Sequence, residues 1–190
     1  MKKNLHLTIG ISIILTALSS CEKNDPTPDE TENPFKNEEG WNGFHIDNQE
    51  YITPNAIIEI WGENLDSLSS DYDISFTDGT FDYNSRNIVQ DNILLYLDAN
   101  SPSLDEFSAG TYSIENTDER KPGNIVDAYI QITNANHIIR YPILSGEVTV
   151  HEENGFYFIE YKLESIVDNE PTTISGKYSG YYTIIDQTKL

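Results

Sequence analysis

The chain is poor in cysteine, in basic residues, in grouped histidines and in long apolar runs. Its single cysteine, Cys21, excludes any disulfide within the chain. Lys and Arg total 11 against 32 Asp and Glu, a net charge of −21. A body this acidic repels phosphate backbones and anionic membranes, so nucleic acid is not an expected partner. The four histidines are His6, His45, His137 and His151. No two of them stand at i, i+2 or i, i+4, and no thiolate can join them, so no zinc site is encoded locally. The apolar run from Leu5 to Leu18 is about 14 residues, short of the roughly 20 that cross a bilayer. No phosphate-cradling glycine loop or dinucleotide fingerprint occurs. The letters "GKYSG", Gly176 to Gly180, approach a nucleophile elbow, but the spacing is wrong and no helix follows.

What is present starts at the N-terminus. Lys2 and Lys3 precede the apolar run, and small residues lead out of it to Cys21. A basic start, a short apolar stretch and a small-residue exit make a secretory signal, residues 1–20; a short membrane anchor is the alternative. Leu18-Ser19-Ser20-Cys21 resembles the lipobox of bacterial lipoproteins. That resemblance implies cleavage before Cys21, acylation of its thiol and attachment to membrane lipid. Two or more acyl chains hold a protein to a bilayer where one does so only marginally. Loss of residues 1–20 removes Lys2 and Lys3 and no acid, which takes the charge to −23.

Residues 21–40 read as the acylated cysteine and a disordered acidic tether. From Glu22 to Gly40 there are three prolines, seven acids and almost nothing apolar. Such a segment cannot bury enough surface to offset its ordering entropy. As a coil it reaches roughly 25 Å, and stretched about 60 Å. Glu22, Asp25, Asp29 and Glu30 resemble, with Lys23 and Asn24 interrupting, the acidic signal that sends lipoproteins of Bacteroidota to the outer face of the outer membrane. The periplasmic face is the alternative. Asp66-Ser67-Leu68 also fits the short O-glycosylation motif of that phylum.

Residues 41–190 are the size of one domain, long enough to fold without disulfides or metals. The dominant pattern is period two. In "EVTVHEENGFYFIEYKLES", Val148 and Val150 lead into Asn154-Gly155, and Tyr157, Ile159, Tyr161 and Leu163 follow on one face. Alternating runs joined by Asn-Gly predict a type I′ hairpin. Asp78-Gly79 offers a second hairpin, with Ile74 and Phe76 leading in and Phe81 and Tyr83 leading out, or else a strand and a loop. Further strands are expected in "YITPNAIIEIWG", "NILLYLDA", "GTYSI", "DAYIQIT", "HIIRYPIL" and "TTISGKYSGYYTIID", with Pro54 and Pro142 at strand ends or edges. In the last run, Ile174, Gly176, Tyr178, Gly180, Tyr182 and Ile184 share a face, the glycines leaving room for a neighbour's ring or allowing a bend. Helical apolar spacing is not sustained anywhere in this part, and β-branched and aromatic residues dominate its apolar set. The fold class is all-β, an antiparallel β-sandwich, with a β-barrel as the alternative. "SAGTYSI", the 145–163 stretch and "ISGKYSGYY" resemble the C-terminal halves of small, largely uncharacterised β-sandwich lipoproteins of Bacteroidota. The resemblance implies the sandwich and an envelope location, and no activity.

Candidate sites are few. Glu63, Asp66, Asp71 and Asp73 fall within eleven residues, but not at the spacing of a calcium loop. A solvated loop or a calcium site both suit them, and neither a metal nor a cofactor is expected. A carboxylate pair for glycoside hydrolysis is permitted by composition and predicted by nothing. Sugars stack on exposed rings, and Tyr and Trp anchor protein interfaces. The candidate binding residues are therefore Trp41, Trp61, Tyr181 and Tyr182, together with Phe156 and Phe158 on the hairpin face opposite the core set, unless both faces are buried. The expectation is a lipid-anchored envelope lipoprotein whose body is a non-catalytic binding or accessory module for glycan or protein partners. The alternatives are a structural subunit of an envelope complex and a carboxylate-based hydrolase.

Overall fold

The computed structural model describes residues 41–64, 68–115, 117–135 and 137–189. The signal, Cys21, the tether and the Asp66-Ser67 pair lie outside the described residues. Thirteen strands run in order: β1 (Gly43–Ile46), β2 (Gln49–Ile52), β3 (Asn55–Glu63), β4 (Ser70–Thr77), β5 (Thr80–Asp82), β6 (Asn87–Val89), β7 (Ile93–Ser101), β8 (Gly110–Ile114), β9 (Asn124–Asn134), β10 (His137–Glu153), β11 (Phe156–Val167), β12 (Glu170–Gly180) and β13 (Thr183–Asp186). A single 3₁₀ turn, Gln187–Lys189, follows, and no α-helix occurs among the described residues. The all-β class is as the period-two pattern predicts.

Eleven strands form one sheet in the order β13-β3-β4-β7-β9-β8-β10-β11-β12-β1-β2, while β5 and β6 pair with each other. The sheet is mixed, not purely antiparallel: β13 runs parallel to β3, and β8 parallel to β9. It is also strongly curled. Phe76 of β4 touches Tyr161 of β11 and Tyr178 of β12, with ring centroids 5.6 and 5.5 Å apart. In the sheet order β4 and β12 are six places apart. In a flat sheet that would separate them by about 29 Å. The inward faces therefore meet, and one continuous core results. Its fully buried members include Phe44, Tyr72, Ile74, Leu95, Leu97, Ile130 and Ile159.

The Asn154-Gly155 hairpin forms as its sequence requires. Both residues have positive φ, 56° and 77°, and Glu153 pairs with Phe156 across the turn. Val148, Val150, Tyr157, Ile159, Tyr161 and Leu163 are all buried. Pro142 lies inside β10 instead of at its end, where the β9 ladder stops at Tyr129 and the register with β11 begins to shift. A missing N–H is harmless at such a break.

Asp78-Gly79 does not make a hairpin. β4 pairs with β3 and β7, and among the described residues β5 pairs only with β6. Asp78 is instead tied to the start of β7, its Oδ1 accepting the N–H of Asn92 at 2.8 Å and of Ile93 at 2.9 Å. A Cβ on Gly79 would lie 2.7 Å from Val89 O, so this glycine serves close packing and not a left-handed turn.

The glycine face of β12 is half as expected. Ile174 and Tyr178 are buried, and Gly176 makes room for Tyr161, whose ring would lie 2.5 Å from an added Cβ. The strand ends at Gly180, however. The chain crosses to β3, the alternation restarts, and Ile185 is buried while Ile184 faces out.

Candidate binding site

The outward face of the β3-β4-β7-β9 region carries a row of rings held by hydrogen bonds. Ser75, Tyr96 and Tyr129 are directly opposed in register across β4, β7 and β9. Tyr96 and Tyr129 stack with centroids 4.9 Å apart. Arg140 of β10 lies over the Tyr129 ring at 4.7 Å and donates from Nε to Gln131 Oε1 at 2.8 Å. Asp73 fixes the other end: its Oδ1 accepts the Tyr96 hydroxyl at 2.6 Å, and its Oδ2 accepts Trp61 Nε1 at 2.8 Å. Burial raises the Asp73 carboxyl above the usual carboxylate range, against the lowering effect of these two donors. Burial and the bond to Asp73 likewise raise the Tyr96 phenol. Trp61 is thereby locked at its indole N–H while about half of its surface stays exposed.

The β5–β6 hairpin stands beside this row. Arg86 closes its turn, N–H to Asp82 O at 2.8 Å, in a positive-φ conformation. Phe81 and Tyr83, edge to face at 5.2 Å, project from it. Phe81 lines two hollows. One, of about 450 Å³, also has Trp61, Tyr96, Tyr129, Glu59 and Arg86 in its walls. The other, of about 370 Å³, has Tyr83, Tyr178, Tyr181, Tyr182 and Asn55. Tyr83 and Tyr181 are 68% and 71% exposed, and each extends a group of rings instead of standing alone. Tyr181 continues the surface: it meets Phe156 edge-on at 5.1 Å, and Phe156 meets Phe158 at 4.9 Å.

Sequence reasoning named six aromatics. Phe156, Phe158 and Tyr181 are brought together, the two phenylalanines half-buried on the outer face of β11. Trp61 stands on the far side of Phe81 from them. Tyr182 packs inward on Tyr157, with centroids 4.0 Å apart, and only borders the second hollow. Trp41 belongs to neither hollow. It stacks on His45 at 4.9 Å, with Lys177 Nζ 5.8 Å from its ring, in a depression that also includes Glu50 and Glu160. Phe81, Tyr83, Tyr96 and Tyr129 were missed. In "NILLYLDA" and "DAYIQIT" the tyrosines alternate with buried Leu and Ile, the same pattern that singled out Phe156 and Phe158.

The acidic run resolves differently. Asp71 and Asp73 of β4 join Asp98 of β7, which lies opposite Asp73, and carboxylate oxygens of the three lie within 4.8 Å of one another. Among the described residues this is the one grouping of potential metal ligands. Arg120 occupies it. Its Nη1 donates to Asp71 Oδ1 at 2.7 Å and to Asp98 Oδ1 at 2.8 Å, and its Nη2 to Asp98 Oδ2 at 2.8 Å. The buried Asn124 holds the loop that carries Arg120, accepting Lys121 N–H at 3.1 Å and donating to Glu119 O at 2.8 Å. Burial and the neighbouring Asp98 push the Asp71 carboxyl up to about 6, with Arg120 pulling it the other way. The guanidinium supplies the positive charge that the acids require.

Comparison of the chain with family models, with curated proteins and with solved structures returned no match.

Proposed function

We propose that the chain is a lipid-anchored envelope protein, tethered through acylated Cys21 at the outer membrane and facing outward, whose β-body is a non-catalytic binding module for neutral glycans. The curled sheet is read as a sandwich whose halves remain joined along β9, β8 and β10. The observation that carries the binding reading is the set of rings on either side of Phe81: Trp61, Tyr96 and Tyr129 in one hollow, and Tyr83 and Tyr181 in the other. Sugar faces present C–H groups that pack on aromatic rings, while hydroxyls seek nearby charged and amide groups such as Glu59, Arg86 and Asn55. An overall charge of −21 disfavours polyanionic glycans.

The test is isothermal titration of the protein with neutral oligosaccharides of several linkages, repeated with Trp61→Ala and Tyr181→Ala. Saturable binding weakened tenfold or more by either substitution supports the reading. Binding indifferent to both substitutions, or no binding to any neutral glycan, removes it.

A carboxylate-based hydrolase has one observation in its favour, the closeness of Asp98 to Asp71, whose own carboxyl is raised by burial and by that neighbour. Arg120 lies between those carboxylates at hydrogen-bond distance, where a scissile bond would need to sit. The binding module is therefore the preferred reading.

A further inference from the structure

We propose that the open edge of β2 and the cleft beside it form a second site, one that takes an extended peptide strand in which apolar and basic side chains alternate. β2 is the last strand of the sheet, and among the described residues it pairs with β1 alone. Its outer row of backbone N–H and C=O groups is a template for another strand. A cleft of about 1030 Å³ lies alongside, and all four residues of β2 line it. One face of a strand would contribute alternate residues only, so the strand meets the cleft with its edge. The opposite wall is the inward face of the neighbouring strand ends: Ile93 of β7, Ile132 of β9 and Ile139 of β10, opposed in register, with Tyr141 two residues further along β10.

The two sides of an added strand would meet different chemistry. Tyr51 faces inward, its ring stacked at 5.2 Å on the fully buried Phe44. Side chains of the added strand on that side would meet Tyr51, Tyr141 and the half-exposed Ile139, and should be apolar. Glu50 lies on the outward side, opposite His45 in register. Asp47, Glu50, Asp78 and Asp168 line the cleft, and no Lys, Arg or His does so among the described residues. Burial raises the Tyr51 and Tyr141 hydroxyls; Tyr141 and then Asp168 add to the effect at Tyr51, and Asp168 adds to it at Tyr141. An unbalanced negative field over an apolar trough selects a positively charged, partly apolar occupant. A strand of four residues spans about 13 Å, the length of β2. Main-chain bonds to the edge would give affinity, and the alternating side chains would give specificity.

The probe is a labelled acetyl-(Val-Lys)₄-amide peptide, followed by fluorescence anisotropy on the full chain in about 0.1 M salt. Saturable binding is expected. N-methylation of every second amide should weaken it tenfold or more in one of the two registers, because only one set of N–H groups faces the edge. Replacing Lys by Glu in the peptide should abolish binding, and Glu50→Lys, an exposed change, should weaken it tenfold or more. Absence of binding, equal binding of the Val-Glu peptide, or indifference to N-methylation in both registers would overturn the proposal. So would a concentration-dependent dimer in sedimentation that Glu50→Lys abolishes, which would give the edge to a second copy of the chain.

Discussion

Replacing Arg120 by Met keeps most of the stem volume and removes the charge that holds three carboxylates together. Arg120 makes three short hydrogen bonds to Asp71 and Asp98, whose side chains are 23% and 15% exposed. Deleting one partner of a fully buried pair costs about 3–5 kcal/mol. Arg120 is itself 35% exposed, so solvent screens part of this. A loss of about 2 kcal/mol at pH 8 is the expected outcome. The pH dependence provides the sharper test. Asp71 already has a folded-state pKa of about 6, above its ordinary value of 3.8. Between those values the folded protein binds more protons than the unfolded chain, so this group's contribution to stability is largest below about 4 and declines as pH rises through about 6. Removing Arg120 raises Asp71 further, because the one lowering charge among its leading causes is gone. The variant should then recover stability as pH falls from 8 to 5, and its deficit against the wild type should shrink by about half or more. Urea unfolding of both proteins at pH 8, 6.5 and 5 measures this. Millimolar calcium, moreover, should stabilise the variant, whose acids lack a counter-charge, and leave the wild type unchanged. A deficit below about 0.5 kcal/mol at pH 8, or one equal at pH 8 and pH 5, would refute the view that Arg120 serves as the cluster's built-in cation.

Gly176→Ala places a Cβ 2.3 Å from Gly43 O and 2.5 Å from the Tyr161 ring, so the β1–β12 pairing must shift. A loss of about 2–3 kcal/mol in denaturant melts is expected, whereas the same change at the open Gly155 turn should cost about 1 kcal/mol through its φ of +77° alone. Cys21→Ala should move the protein from the membrane pellet to the soluble fraction, and an unchanged pellet fraction would remove the lipid anchor from the account.

The sequence made the strands legible where local chemistry alone decides them. Asn154-Gly155 forms its turn because both residues tolerate positive φ and both flanking runs alternate. Asp78-Gly79 is a turn signal of the same kind, but the Asp78 carboxylate is bound by the backbone N–H groups of Asn92 and Ile93 at the start of β7, 14 and 15 residues away, which no local pattern announces. The curl of the sheet and its two parallel pairings were likewise invisible, since they depend on which strand ends meet in space. At the candidate surface, Phe156, Phe158 and Trp61 could be singled out from their place opposite the core set or their size. Their relation to Tyr83, Tyr96 and Tyr129 follows from cross-strand register and from the β5–β6 excursion. Asp98 and Arg120 were missed for the same reason: Asp98 faces Asp73 only once β4 and β7 are paired, and Arg120 reaches them from the β8–β9 loop.

The central claim is that the rings flanking Phe81 are a ligand surface and not merely outward packing. Titrating isotopically labelled protein with a neutral oligosaccharide while following the Trp61 indole N–H tests it most directly, because that proton is fixed on Asp73 at the edge of one hollow. Saturable shifts of the Trp61 indole, together with backbone shifts at Phe81 and Tyr83, and little change at Trp41, are the predicted result. Shifts confined to Trp41 and its surroundings, or an unmoved Trp61 with every neutral glycan tried, would contradict it.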